Sequence, residues 1–453
     1  MAEPARQDQA HEDHLQALTD ALESGTAQQI ARMVNALHPA EIGHLLESLP
    51  VAERKVVWSL VSPDNAGEAL LHVSDEVRPG LIEAMEADEL VAAVGAMDMD
   101  DLADILQDLP GAVTEEVLRA MDLQNRQRLQ AVLSYPEDSA GGLMNIDTVT
   151  VRADVTLDVV LRYLRLRGEI PELTDSLIVV NRYDRYMGLL ALSDLLTHEP
   201  SLTVAEVMGR DVEAIPATMT AREVAKRFED RDLISAPVVD EDGRLLGRIT
   251  IDDVVDVIRE DAEHSLMSMA GLTEEEDMFA PVLHAARRRA IWLGVNLVTA
   301  FVAAWVIGRF EATLDQIVAL AVLMPIVASM GGIAGSQTLT LVIRGMALGQ
   351  LGSANTRWLL VKEVAVGLLN GLVWALVVAG VAVAWFDSPP IGVIIAAAMV
   401  INLLCAALAG VSVPLILRKL RIDPALAGTV VLTTVTDVVG FMAFLGLATA
   451  FLL

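Results

Sequence analysis

The second part of the chain is apolar on every face. Between Ala290 and Leu453 five stretches, at about 290–308, 314–343, 358–386, 391–417 and 424–453, consist almost wholly of Leu, Val, Ile, Ala, Gly, Phe and Trp. Each approaches or exceeds the roughly 20 apolar residues that a helix needs to cross a bilayer. A helix on the surface of a soluble domain would show an apolar stripe and a polar face. The segment Asp387-Ser-Pro-Pro390 makes a tight break between the third and fourth stretches. The pattern before Ala290 differs. From about Leu15 to Leu133 leucine and isoleucine recur at helical spacing in short amphipathic runs, and Glu41-Ile-Gly-His-Leu-Leu-Glu-Ser-Leu-Pro50 returns as Asp101-Leu-Ala-Asp-Ile-Leu-Gln-Asp-Leu-Pro110. A repeat ending in Leu-Pro predicts helices that stop at the proline and stack into a superhelix, with the leucines as core.

At about residue 136 the period changes again. Asp175-Ser-Leu-Ile-Val-Val-Asn and Ala236-Pro-Val-Val-Asp are short β-branched runs, each followed by a turn and another strand. Asp184-Arg-Tyr-Met-Gly188-Leu-Leu-Ala-Leu-Ser-Asp194 aligns with Gly243-Arg-Leu-Leu-Gly247-Arg-Ile-Thr-Ile-Asp-Asp253. This tandem α/β unit resembles a pair of CBS modules. The resemblance implies a cleft for an adenine nucleotide such as ATP, with Asp194, Thr250 and Asp253 as its candidate ligands. A helix N-terminus and a hydroxyl suit phosphate, and a carboxylate suits ribose hydroxyls. The second copy carries the full Gly247, Ile249, Thr250, Asp253 set, whereas the first has Ala191 where the hydroxyl belongs.

Charge sorts these regions. The chain of 453 residues has 32 Lys/Arg against 62 Asp/Glu, a net charge of −30, yet only seven basic and six acidic residues lie from Ala290 onward. The acidic surplus therefore lies outside the apolar stretches, where it repels nucleic acid and attracts cations. Cys405, the only cysteine, sits in an apolar run, which excludes disulfide and cysteine–zinc frameworks. The first residues lack the basic start and apolar core of a signal peptide. Arg287-Arg288-Arg289 precede the first stretch, Arg344, Arg357 and Lys362 separate the second from the third, and Arg418, Lys419 and Arg421 separate the fourth from the fifth. By the positive-inside rule the N-terminal half is cytosolic and the C-terminus lies on the far side of a cell (inner or plasma) membrane.

The fifth stretch holds the most informative residue. Asp437, in Thr433-Thr-Val-Thr-Asp-Val-Val-Gly440, falls well inside an apolar run that offers no cation to pair with it. Placing an aspartate there costs about 2.5–3.5 kcal/mol, so an intramembrane carboxylate points to an ion path. Neutral burial against Thr433, Thr434 or Thr436 is the structural alternative. The second stretch reads Met324-Pro325-Ile-Val-Ala-Ser-Met-Gly331-Gly-Ile-Ala-Gly335-Ser-Gln-Thr, in which Pro325 and Gly331-Gly332 loosen a helix and Gly331 and Gly335 permit close packing.

The order of superhelix, CBS pair, acidic connector and five spans resembles the MgtE family of magnesium channels over nearly the whole chain. The local matches are Met-Pro…Gly-Gly-x-x-Gly-x-Gln, Arg421-Ile-Asp423-Pro-Ala and the Thr-Asp-Val-x-Gly stretch around Asp437. The resemblance implies a mainly α fold: a superhelical acidic domain (1–135), a tandem CBS pair (136–255), an acidic plug-like connecting helix (256–289) and a five-helix transmembrane pore domain (290–453). It further implies a homodimer in the lipid bilayer with Asp437 on the two-fold axis, and a Mg²⁺ site completed near Thr433 and Gly440. The family usually has asparagines where this chain has Ile333 and Ser336, and an amide near Thr429, so the ion stays open between Mg²⁺ and another cation such as Co²⁺, Mn²⁺ or Na⁺. A membrane sensor that does not transport is a third reading. No nucleophile motif, metal-ligand cluster or P-loop supports an enzyme.

The connector reads Asp252-Asp-Val-Val-Asp256-Val-Ile-Arg-Glu260-Asp-Ala-Glu263, which gathers carboxylates on one helix face. Like charges at that spacing repel unless a cation bridges them. The resemblance implies that Mg²⁺ joins Asp252, Asp256, Glu260 and Glu263 to Asp100 and Asp104 of the superhelix and to Asp423, closing the pore when cytosolic Mg²⁺ is high.

Overall fold

In the computed structural model, residues 21, 26–85, 87–94, 97, 99–107, 111–121, 123–272, 277–352 and 354–453 are described. The chain divides into two compact units: residues 1–263 with 275–281, and residues 264–274 with 282–453.

The first unit begins with short helices from Ala27–Val34 to Leu123–Val132. The sequence repeat is a repeat of structure. Helix Pro39–Glu47 buries Ile42, Leu45 and Leu46, and helix Met99–Gln107 buries Leu102, Ile105 and Leu106 at the corresponding positions. Proline opens the first of these helices at a position that needs no N–H, and a capping box closes its start: Glu41 Oε2 accepts from the His38 N–H at 2.9 Å, and His38 Nδ1 accepts from the Ala40 N–H.

One ion pair in this unit joins residues far apart in the sequence. Arg54 donates to both carboxylate oxygens of Asp277, at 2.9 and 3.1 Å, and its Nε donates to the Leu46 carbonyl at 2.8 Å. Both side chains are less than a tenth exposed. The bidentate geometry satisfies the guanidinium fork while removing both charges from water.

The α/β part consists of two three-stranded sheets of the same design. Strand Thr150–Arg152 runs parallel to Ser176–Val180, which pairs antiparallel with Tyr186–Ala191; Ile215–Pro216, Ser235–Val239 and Leu245–Thr250 repeat the arrangement. Even the irregularities coincide, since the register shifts at Val179/Val180 in one sheet and at Val238/Val239 in the other. Ala191 opposes Ser176 as Thr250 opposes Ser235, so the alanine stands at the threonine's place. Gly247 lies where the backbone of Asn145 crosses, and a Cβ there would come within 2.6 Å of the Asn145 carbonyl oxygen. Helix Ile251–Ala270 follows directly.

The second unit contains five long apolar helices, called M1 to M5 here: Val282–Gly308, Ala319–Ala347, Thr356–Phe386, Pro389–Lys419 and Pro424–Leu452. All five are long and apolar enough to cross a membrane. M1 starts at Val282 and carries Arg287–Arg289 within it, whereas hydropathy alone placed the start at Ala290; helical hydrogen bonding continues through the arginines because the backbone ladder does not depend on side-chain polarity. M2 runs through Pro325 and Gly331-Gly332 as one helix, so these residues do not open it. M4 is the centre of the unit, buried along most of its length against M2, M3 and M5. The glycines permit this approach. Gly335 of M2 lies against Leu432 of M5, and Gly410 of M4 lies against Thr338 of M2. Thr338 also donates to Glu363 of M3 at 3.1 Å, and Lys362 completes that buried carboxylate's pairing at 2.9 Å.

Candidate functional site

M2 has two faces of different chemistry. One buries Leu323, Val327, Gly331, Gly335, Leu339 and Val342 in the helix bundle. The other presents Ser329, Gly332, Ile333, Ser336, Gln337 and Thr340 to an open groove of ≈ 1000 Å³ whose opposite wall is Thr433 and Asp437 of M5. The spacing of four residues puts Thr433 and Asp437 on one face of M5, just as the steps from 329 through 333 and 336 to 340 keep one face of M2. A row of small polar side chains on an apolar helix is unfavourable facing lipid and favourable facing water.

Asp437 is half-buried in this groove. The three neighbouring threonines do not neutralise it. Thr433 donates to the Thr429 carbonyl at 2.8 Å, Thr434 to the Val430 carbonyl at 2.7 Å, and Thr436 to the Thr433 carbonyl at 3.0 Å. Each hydroxyl thus bonds its own helix, a common arrangement for Thr in an apolar helix. Among the described residues no side chain donates to Asp437. Thr433 shares its wall, while Gly440 lies on the buried face, against Asn402 of M4. Ile333 and Ser336 both line the groove.

The residues of the acidic connector are dispersed along helix Ile251–Ala270. Asp252 accepts from the Thr250 hydroxyl, while Asp256 and Glu263 lie 3.8 and 3.9 Å from Arg259. Glu260 is the most perturbed. Desolvation pushes its carboxyl up to about 7, and the nearby Asp75 and Asp256 carboxylates, with Glu137 more weakly, push the same way against the pull of Arg259. Its side chain is nevertheless exposed at the surface, where solvent screening weakens these effects. Asp75 of the superhelix and, more weakly, Glu137 at the start of the CBS pair are thus the carboxylates brought near this helix, and neither the repeat nor the charge spacing along the chain selects them. The side chains of Asp100 and Asp104 lie outside those described. Asp423, in the second unit, caps M5 by accepting from the Ala425 N–H at 2.9 Å and approaches His264 Nε2 at 3.4 Å. Among the described residues, no three His, Cys, Asp or Glu side chains converge as a ready-made metal cage.

In the CBS pair, Thr250 is buried and its N–H and hydroxyl both reach Asp253, at 3.2 Å. Asp194 is half-buried, its carboxylate 3.9 Å from His198. Sequence reasoning missed Asn402 and Glu363. Asn402 was visible as a lone polar residue in an apolar run and Glu363 as an acid beside Lys362, but nothing in the sequence named their partners on M2.

Comparisons with known proteins agree with this layout. A family described as divalent cation transporter (MgtE) matches residues 324–447, the MgtE intracellular N domain matches 37–138, and CBS domains match 140–200 and 204–260. The chain is 32% identical over 439 residues to the magnesium transporter MgtE of Thermus thermophilus, covering 95% of this chain and 97% of that one. It is 28% identical over 431 residues to the magnesium transporter MgtE of Bacillus subtilis, covering 95% and 96% respectively. Among solved structures, the cytosolic domain of the Mg²⁺ channel MgtE in complex with ATP is 33% identical, with a TM-score of 0.49, over 54% of this chain and 99% of that one.

Proposed function

The chain belongs to the MgtE family of divalent cation transporters, and on that premise we propose that it passes Mg²⁺ across the membrane along the groove that Asp437 lines. One observation carries this reading: a carboxylate within an apolar span, given no side-chain donor among the described residues, faces a groove whose lining includes three hydroxyls and an amide of M2. Mg²⁺ sheds water reluctantly and is commonly held by one or two carboxylates through its hydration shell. Ser329, Ser336, Gln337, Thr340 and Thr433 suit such an ion, because they can exchange hydrogen bonds with bound water.

The groove is open along one side, and a second copy of the chain is the partner that closes it. A two-fold homodimer would set two Asp437 carboxylates across one water-filled path. The basic loops between M2 and M3 and between M4 and M5 support an orientation with the acidic first unit in the cytosol and the C-terminus outside. Cytosolic Mg²⁺ then acts as the gate. Bridging the carboxylates around Asp256 and Glu260 favours the closed state by the difference in ion affinity between closed and open forms. At the CBS pair an adenine nucleotide is the ligand that Thr250 and Asp253 of the second module suit; Ala191 withholds the equivalent hydroxyl from the first.

Proteoliposomes loaded with a Mg²⁺ indicator test the pore. Uptake through the parent chain and background uptake through Asp437→Ala is the expected result, and equal uptake in both defeats the reading. Running Ca²⁺, Co²⁺, Mn²⁺ and Na⁺ beside Mg²⁺ ranks the cations, for which the presence of Ile333 and Ser336 in the groove makes the comparison informative.

A further inference from the structure

The two walls of the groove, M2 and M5, meet a single side chain behind it. Asn402 of M4 is fully buried, at 0% exposure, in a helix whose other buried residues are apolar or glycine. Its Nδ2 donates to the Val327 carbonyl of M2 at 2.8 Å, in the turn that begins the groove's polar face. The same amide lies flat against Gly331 of M2 and Gly440 of M5. A Cβ on Gly331 would come within 2.8 Å of Asn402 Cγ, and one on Gly440 within 2.8 Å of Nδ2. Real side chains do not tolerate such distances, so a side chain at either glycine would displace the amide or the helix. Gly331 adjoins Gly332 of the groove, and Gly440 lies one turn beyond Asp437.

Asn402 Oδ1 has no hydrogen-bond partner among the described residues. A leucine would fill similar space without burying an unpaired acceptor, so packing alone does not account for an amide here. The hydrogen bond to Val327 does something that packing cannot: it fixes M2 in rotation and height against M4, while the Gly440 contact fixes M5 against the same group.

We propose that Asn402 is a positioning residue that sets the separation and register of the two groove walls, and through them the fit of the path to a hydrated divalent ion. It touches no ion. It acts by holding the Ser329–Ser336–Gln337 face at a defined distance from Asp437. The proposal rests on the groove being the ion path, and the test separates the two ideas.

Mg²⁺ uptake into proteoliposomes is measured as a function of concentration, with Ca²⁺ and Co²⁺ as competitors, for the parent chain, Asp437→Ala, Asn402→Leu and Gly440→Ala. Asn402→Leu keeps the bulk and removes the hydrogen bond, whereas Gly440→Ala keeps the amide and crowds M5 against it. Both are expected to raise the half-saturating Mg²⁺ concentration and weaken discrimination against Ca²⁺ by roughly tenfold, more than they lower maximal flux, since ångström-scale misplacement of a site has effects on this scale or larger. A purely structural role would lower the amount of active protein, and hence maximal flux, while leaving half-saturation and discrimination as in the parent; that result overturns the proposal. Should Asn402→Leu fail to assemble, unchanged discrimination in Gly440→Ala overturns it equally. Parent-like uptake by Asp437→Ala would instead remove the path itself, whatever the other variants do.

Discussion

A carboxylate in the acidic unit and a carboxylate in the membrane unit are the same group in opposite circumstances. The first part of the chain carries nearly all of the acidic surplus, and many of its charges lie at the surface or beside an arginine. Such a charge says little by its presence, because water and salt screen it. The membrane unit holds few charges, and one placed inside a span is expensive. Glu363 answers that cost with the Thr338 hydroxyl and Lys362, while Asp437 is left facing a groove. A charge becomes informative in proportion to what its surroundings make it cost. In the acidic unit, therefore, only the unusual groups stand out: the buried Arg54–Asp277 pair, and Glu260 among like charges.

The largest expected contrast follows from Asp437. Its change to alanine should abolish Mg²⁺ uptake while the cytosolic unit stays folded, as circular dichroism and size-exclusion chromatography would show; neutralising any one exposed carboxylate of the first unit should leave maximal uptake near the parent value. Next in size is Arg54→Ala. Stranding Asp277 without its partner should destabilise the first unit by about 3–5 kcal/mol, whereas replacing both residues by apolar ones of similar volume should restore most of that loss. Hydrogen exchange of the helices around Leu46 reads both outcomes.

Smaller effects belong to the connector. Asp256→Asn combined with Glu260→Gln should weaken shut-off by internal Mg²⁺ without lowering uptake at low internal Mg²⁺, and normal shut-off in that variant would defeat the gating idea. The smallest effect is on pH. Glu260 titrates at about 7 in the folded unit, above its ordinary 4.5, so the folded state holds the proton more tightly than the unfolded one. The packing of this helix against the loop that carries Asp75 should thus be firmest at low pH, lose stability as pH rises from about 4.5 through about 7, and level off above that. Hydrogen exchange of residues 256–260, corrected for intrinsic rates, should show this slope in the parent and lack it in Glu260→Gln.

Much of this was legible in the sequence. Periodicity identified the helical repeat because Ile42, Leu45 and Leu46 recur as Leu102, Ile105 and Leu106, and the two sheets because Gly188 and Gly247 recur with their neighbours. The spans were read from length and hydropathy, and Asp437 from its cost in lipid. The effect of Pro325 was not readable, since a helix packed against M4 and M5 tolerates a proline that would weaken it alone.

Taken alone, the amino-acid order determined which segments enter the membrane, which repeat, and which single acid is out of place there. These are local properties, set by transfer free energy and by the period of the backbone. Tertiary structure decided which face of M2 meets Asp437 and that Asn402 lies between Gly331 and Gly440. It also brought Asp277 to Arg54 and Asp75 towards Glu260. Such contacts join residues tens to hundreds of positions apart. They arise from how helices pack once each has formed, and no window along the chain contains that information.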